Sequence, residues 1–147
     1  MPIRRQFNNV SVHDQVGGKV YRFRSLLEYR WAKYLELLRI SGHLLEWQYE
    51  PKTFYFQNVT RAPVQYKPDF RTVEPDGSVI WHETKGYFDG PTVSKLQRMH
   101  QHYPEETFDL ILDGMPRKGK SAARILAAQK YTRRIYDGRA VLRQAGL

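Results

Sequence analysis

The strongest constraint in the sequence lies between residues 65 and 85, where two strand-like runs flank a turn. Glu74-Pro75-Asp76-Gly77-Ser78 has the chemistry of a tight reversal, with proline pre-setting φ early in the turn and glycine supplying a positive φ near its end. The flanking runs, 65–73 and 78–85, read as strands. A three-residue loop at 75–77 sets Glu74 opposite Ser78. Counting back along both strands then places Asp69 opposite Glu83, and Lys67 opposite Lys85. A slip of one residue would send the two acids to opposite faces, so this register is open to direct contradiction.

The rest of the chain arranges itself around that hairpin. Residues 10–24 read as two short strands about Gly17-Gly18. Ser25 is a good N-cap with Glu28 three positions later, the spacing of a capping box, and an amphipathic helix should run over 26–40 until Gly42. The aromatic-rich segment 46–56 alternates like a strand, with Pro51 marking an edge or bulge. Beyond the hairpin, Gly90-Pro91 opens a helix over 92–103, and 108–112 is a short apolar strand. Residues 121–136 read as helix, broken by Asp137-Gly138, while 1–9 read as a loose polar end. The pattern is a single α/β domain, a mixed central sheet flanked by helices rather than a doubly wound one.

Composition supports one core, since 41% of 147 residues are hydrophobic. No run is long and apolar enough for a membrane span, and no signal-peptide pattern opens the chain. Cysteine is absent, which excludes disulfides, thiolate zinc sites and a cysteine nucleophile, and fits the cytoplasm. The net charge of +9 is uneven. Residues 115–147 carry Arg117, Lys118, Lys120, Arg124, Lys130, Arg133, Arg134, Arg139 and Arg143 against Asp137 alone. A nearly neutral body at 1–114 with a basic helical extension at 115–147 predicts a polyanionic partner.

Three acids and a lysine carry the candidate chemistry. Glu28 shares its helical face with Trp31, Ala32 and Leu35, where it either completes the capping box or faces a site. Asp69 and Glu83, side by side, should not both ionise without a cation. An all-oxygen donor set suits magnesium or manganese together with a phosphate substrate. Lys85, two residues beyond Glu83, lies on the same strand face and could stabilise charge on that phosphate. These are the requirements of metal-assisted phosphodiester hydrolysis. An ordinary cross-strand ion pair of Asp69 or Glu83 with Lys85 is the alternative.

Lys67-Pro68-Asp69-Phe70 followed by Glu83-Thr84-Lys85-Gly86 resembles the motif of the PD-(D/E)XK nuclease superfamily. Phe23-Arg24-Ser25 leading to Glu28, Tyr49-Glu50 and the stretch from His102 to Glu105 add a likeness to the phage endonuclease I family of junction-resolving enzymes and related phage recombination nucleases. The resemblance covers residues 23–112. It implies a restriction-endonuclease-like core and a magnesium-dependent DNA endonuclease, with manganese able to substitute. It further implies that Asp69, Glu83 and the Thr84 carbonyl hold the metal. Glu28 would serve a second metal or a water, and Lys85 would assist the nucleophile.

Branched DNA, as in Holliday-junction resolution, would be the substrate, and a bacterial or phage-infected cell the setting. The chain would act as a homodimer in which 46–56 could be an exchanged strand. Backbone contacts would come from Arg24, Lys67, Lys95, Arg98, Arg117, Lys118, Lys120, Arg124, Lys130, Arg133 and Arg134. Single-stranded, flap, site-specific duplex or transposon-end DNA, or binding without catalysis, are the competing readings. His82 is expected to be structural, and the glycine spacing in Gly114–Ser121 is wrong for a phosphate loop.

Overall fold

Turn chemistry and apolar spacing divide residues 10–147, those described by this computed structural model, into nine strands and four helices. β1 (Val12–Val16) and β2 (Lys19–Phe23) pair antiparallel across Gly17 and Gly18, whose φ values are 63° and 82°. A Cβ at position 17 would also meet the carboxyl end of Glu36, which would have to move aside. α1 (Leu26–Ile40) starts where the Ser25 hydroxyl accepts the Glu28 N–H at 3.1 Å.

The remaining elements are β3 (Glu46–Tyr49), β4 (Phe54–Tyr55), β5 (Gln65–Tyr66), β6 (Phe70–Val73), β7 (Val79–Lys85), α2 (Gly90–His102), β8 (Thr107–Leu112), α3 (Gly119–Ala128), β9 (Arg134–Asp137) and α4 (Gly138–Gln144). The central sheet has the order β3-β6-β7-β8-β9. Its first three strands are antiparallel neighbours, while β7, β8 and β9 run parallel, joined through α2 and α3. Leu96 and Met99 of α2 and Ile125 and Ala128 of α3 share one core with Trp81, Leu110 and Leu112. Trp31 and Leu35 of α1 and Leu142 of α4 share the other with Phe70 and Ile111. The architecture is thus α/β, a mixed sheet with helices on both faces.

The β6–β7 register runs from Phe70 opposite His82 to Val73 opposite Val79, as the turn chemistry requires. Glu74 N–H donates to the Ser78 carbonyl at 2.9 Å, and Gly77 takes a φ of 87°. Two expected strands are each interrupted. The segment 46–56 divides at Glu50-Pro51, and 65–73 divides at Lys67-Pro68-Asp69, because a proline cannot donate to the ladder. The freed pieces β4 and β5 pair with each other outside the central sheet.

The C-terminal segment differs more. The helix expected to reach residue 136 ends at Ala128. Arg133 N–H then donates to the Phe108 carbonyl at 2.7 Å, its guanidinium clamps Asp109, and the chain continues beside β8 as β9. α4 follows at once, so close that a Cβ on Gly138 would lie 2.7 Å from both Ile111 Cγ2 and the Leu112 carbonyl. The basic segment is therefore stitched into sheet and core. No helix among the described residues is long and apolar enough to cross a membrane, and the expected loose end at 1–9 lies outside them.

Candidate metal centre

Three stretches of chain bring carboxylates together. Glu28 stands in the first turn of α1, and its side chain does not close a capping box on Ser25. Its Oε2 instead accepts the backbone N–H of Arg24 at 2.8 Å and the Tyr49 hydroxyl at 3.0 Å. Asp69 precedes β6, and extending the ladder by one pair sets it opposite Glu83. Its Oδ2 accepts both the backbone N–H and the hydroxyl of Thr84 at 2.8 Å. Glu50 follows β3 and donates its N–H to the Asp69 carbonyl at 2.8 Å. Its φ of 46° is a left-handed conformation that costs a non-glycine residue about 1–3 kcal/mol and tends to persist where function requires it. Glu28, Glu50 and Asp69 each present an oxygen, all within 4.8 Å of one another.

Glu28 and Asp69 line a cleft of about 450 Å³ together with Glu83, Thr84, Lys85 and Lys95. Glu28, Asp69 and Glu83 are only 6%, 5% and 5% exposed, and none has an ion-pair partner among the described residues. Burial, compounded by the neighbouring charges of Glu83 and Glu28, pushes the Asp69 carboxyl well above its usual range. Burial also pushes Glu83 up to about 7, although a 2.5 Å bond from the Tyr66 hydroxyl and the charges of Lys85 and Lys95 pull the other way. Glu50 behaves differently. Burial raises it, but Arg24 and Lys67 outweigh that and hold it below the ordinary value. Arg24 reaches its Oε1 at 2.8 and 2.5 Å, and Lys67 Nζ lies 3.1 Å from its Oε2.

The donor set fits a hard divalent ion: carboxylate oxygens converge in a partly enclosed cleft, and two of the acids are held in a state that a cation would relieve. The four residues singled out in the sequence, Glu28, Asp69, Glu83 and Lys85, line this one cleft, with Thr84 beside them. Glu50 was not foreseen as a donor. The available signal was an acid placed between a strand end and a proline.

Among the expected phosphate-binding cations, Arg24, Lys67 and Lys95 line the cleft. Lys67 turns to Glu50, and Lys95 Nζ lies 5.6 Å from the Tyr66 ring centroid. Arg98 binds the carbonyls of Arg61 and Pro63, and Arg133 binds Asp109 and Glu74, so both are engaged within the chain. Arg124 reaches the Tyr87 hydroxyl, and Arg134 the Tyr136 hydroxyl. Arg117, Lys118, Lys120 and Lys130 are exposed. His82 is buried and accepts the Trp31 indole N–H at 3.0 Å, away from the acids.

No protein-family model matches the sequence. Comparison with curated proteins likewise gives no match. Among solved structures, the crystal structure of a repair endonuclease from Pyrococcus abyssi is similar to this chain at 19% identity and a TM-score of 0.35 over 71% of its residues. The chain spans 44% of that endonuclease's length.

Proposed function

We propose that this chain is a divalent-metal-dependent DNA endonuclease with a restriction-endonuclease-like core, and that branched DNA is its leading substrate. The observation that carries this reading is the meeting of Glu28, Glu50 and Asp69 within 4.8 Å, with Glu28 and Asp69 lining one cleft together with Glu83 and Lys85. Asp69, Glu83 and the Thr84 carbonyl are the proposed ligands of magnesium, for which manganese could substitute. Glu28 and Glu50, together with Asp69, supply donors for a second ion or an ordered water. When bound, such an ion neutralises the acids, polarises a phosphoryl oxygen and makes water a better nucleophile.

The chain's own groups set the rest of the chemistry. Lys85, which lines the same cleft as the acids, is the group that would stabilise charge developing on phosphate. Tyr66 holds Glu83 in one orientation. Thr84 fixes Asp69 through two donors, so the carboxylate does not have to be ordered when substrate arrives. Exposed Arg117, Lys118 and Lys120 would contact backbone phosphates, which makes binding steeply salt-dependent. A homodimer presenting two such clefts would suit a branch with opposed strands.

The test is incubation of a four-way junction, a flap, a single strand and a plain duplex with the full chain, with and without magnesium. Metal-dependent cutting that favours the branched forms is expected, and Lys85→Ala should abolish it. Asp69→Asn should abolish cutting while DNA binding is kept or tightened, because a negative charge facing phosphate has gone. Absence of cutting on every substrate with either magnesium or manganese overturns the nuclease reading. Preferential cutting of duplex at one sequence overturns the branched-substrate part.

A further inference from the structure

β4 and β5 form a small ladder at the edge of the acid cleft, and its two faces differ. Phe54 pairs with Tyr66, and Tyr55 with Gln65. The Phe56 N–H continues the ladder by donating to the Val64 carbonyl at 3.0 Å. Side chains directly opposite one another share a face, and successive ones alternate. Phe54 and Tyr66 are buried in the core that holds Trp81 and Phe108, and Tyr66 also reaches Glu83. Tyr55 and Gln65 therefore take the outer face, where both are exposed, and Gln65 lines the acid cleft.

Tyr55 is 61% exposed, and among the described residues its ring meets no other ring and no cation. A lone exposed aromatic residue is ordinary on a protein surface. Tyr55 is set apart by its place. Opposite positions of an antiparallel pair hold their Cβ atoms about 4.5–5.5 Å apart, and a diagonal neighbour, about 7–8 Å away, is within reach of an aromatic side chain. Gln65 is the opposite neighbour, and Lys67, the next position on that face, lines the cleft as well. The Tyr103 hydroxyl donates to the Tyr55 carbonyl at 2.6 Å, so the backbone beneath the ring is fixed from two sides. Residues 51–67 carry Lys52, Arg61 and Lys67 and no acid, which suits a polyanion. Lys67 is committed to Glu50, so what this face offers is the ring and the Gln65 amide. An ordered ring beside a phosphate-binding cleft suits a nucleobase, since every base has a face that stacks on an aromatic side chain. The amide adds a donor and an acceptor for the edge of that base. Inside a continuous duplex both faces of a base are covered, so only one that has left the stack can lie on Tyr55.

We infer that the outer face of β4 and β5 is a base platform, on which Tyr55 stacks an unpaired nucleobase of the strand whose phosphate enters the acid cleft, with Gln65 at the edge of that base. The inference rests on the DNA reading above and narrows it. The strand must be unpaired beside the scissile bond, as in a flap, a single strand or an opened branch point, and a continuous duplex is a poor substrate.

The test uses the full chain, without metal, and oligodeoxynucleotides carrying 5-iododeoxyuridine, cross-linked by light and mapped by mass spectrometry. In a single strand the label should cross-link to Tyr55, and the same label inside a duplex should not. Tyr55→Ala should weaken single-strand binding about tenfold, as loss of one base stack does, with duplex binding held within about twofold. Tyr55→Phe and Tyr55→Trp keep a ring and should keep the affinity. Tyr55→Leu, a second variant in case Tyr55→Ala does not fold, should show the same selective loss. Cross-links that miss Tyr55, equal cross-linking of Tyr55 to duplex, or equal losses on duplex and single strand overturn the platform. Magnesium-dependent cutting together with single-strand affinity that Tyr55→Ala leaves unaltered also overturns it and leaves the nuclease reading standing. Single-strand cross-links at Tyr55 and a selective loss in Tyr55→Ala, without cutting of any substrate, support the platform and overturn the nuclease reading instead.

Discussion

Two buried aspartates, one on β8 and one just before β6, are treated in opposite ways. Asp109 on β8 is 1% exposed, and Arg133 grips it through two bonds of 3.0 and 2.6 Å while also reaching Glu74. Asp69 is 5% exposed, yet its neighbours are Glu28, Glu50 and Glu83, and among the described residues its carboxylate accepts from Thr84 alone. A buried carboxylate with a bidentate arginine is complete in itself and secures β9 to the sheet. A buried carboxylate among other acids is incomplete until a cation or a proton arrives. Asp109 is therefore architecture, whereas Asp69 is the acid that the proposed function makes a metal ligand.

The largest effect that would break this contrast concerns catalysis. Asp69→Asn should lower magnesium-dependent DNA cleavage by at least about a thousandfold, whereas Asp109→Asn should leave the rate per folded molecule within about tenfold. Comparable losses in the two variants, measured in single-turnover assays, would erase the distinction. Stability should reverse the ranking. Asp109→Ala removes two bonds from Arg133, leaving it Glu74, and should cost about 2 kcal/mol in urea unfolding. Asp69→Asn in metal-free protein relieves repulsion and should be neutral or stabilising.

The two regions should also respond to pH in opposite directions. Glu83 titrates near 7 in the folded chain, against an ordinary 4.5. Its contribution to stability is complete below pH 4.5 and lost as pH rises toward 7, roughly 3 kcal/mol for a shift of that size. His82 is held at about 4, against 6.5, by burial and by Arg133, although Asp109 pulls it up. Its contribution is complete above pH 6.5 and fades as pH falls toward 4. Thermal melts of metal-free protein should therefore show the rising-pH loss shrink in Glu83→Gln, the remainder belonging to the buried Asp69, while the acid-side loss remains. Magnesium should restore stability more at pH 8 than at pH 5, since the ligands must be deprotonated to bind it. The smallest expected effect belongs to Glu50→Gln, already offset by Arg24 and Lys67. Calorimetry should show magnesium binding weakened about tenfold, and an unchanged affinity would remove Glu50 from the donor set.

How much of this could be read from the sequence depends on what fixes each part. The hairpin register was legible because Pro75 and Gly77 specify one loop, and the loop then dictates which acids meet. α1 was legible from its cap and its apolar stripe, with the expected bounds of 26–40. Glu50 was not, because its place depends on a left-handed backbone at the end of β3, which no side-chain period encodes. β9 was missed for a related reason. Its residues are exposed or half-buried, so pairing with β8 and the Arg133 clamp specify it rather than apolar alternation.

The anchoring of β9 and α4 has a further consequence. A basic tail on a flexible tether must give up its freedom each time it meets a polyanion. Here Lys120 and Arg124 on α3, Arg134 on β9, and Arg139 and Arg143 on α4 stand on elements fastened to the sheet that carries Glu83. Most of that entropy is lost once, during folding, and not again at each encounter. Loosening the Leu142 anchor should weaken DNA capture without removing a single charge.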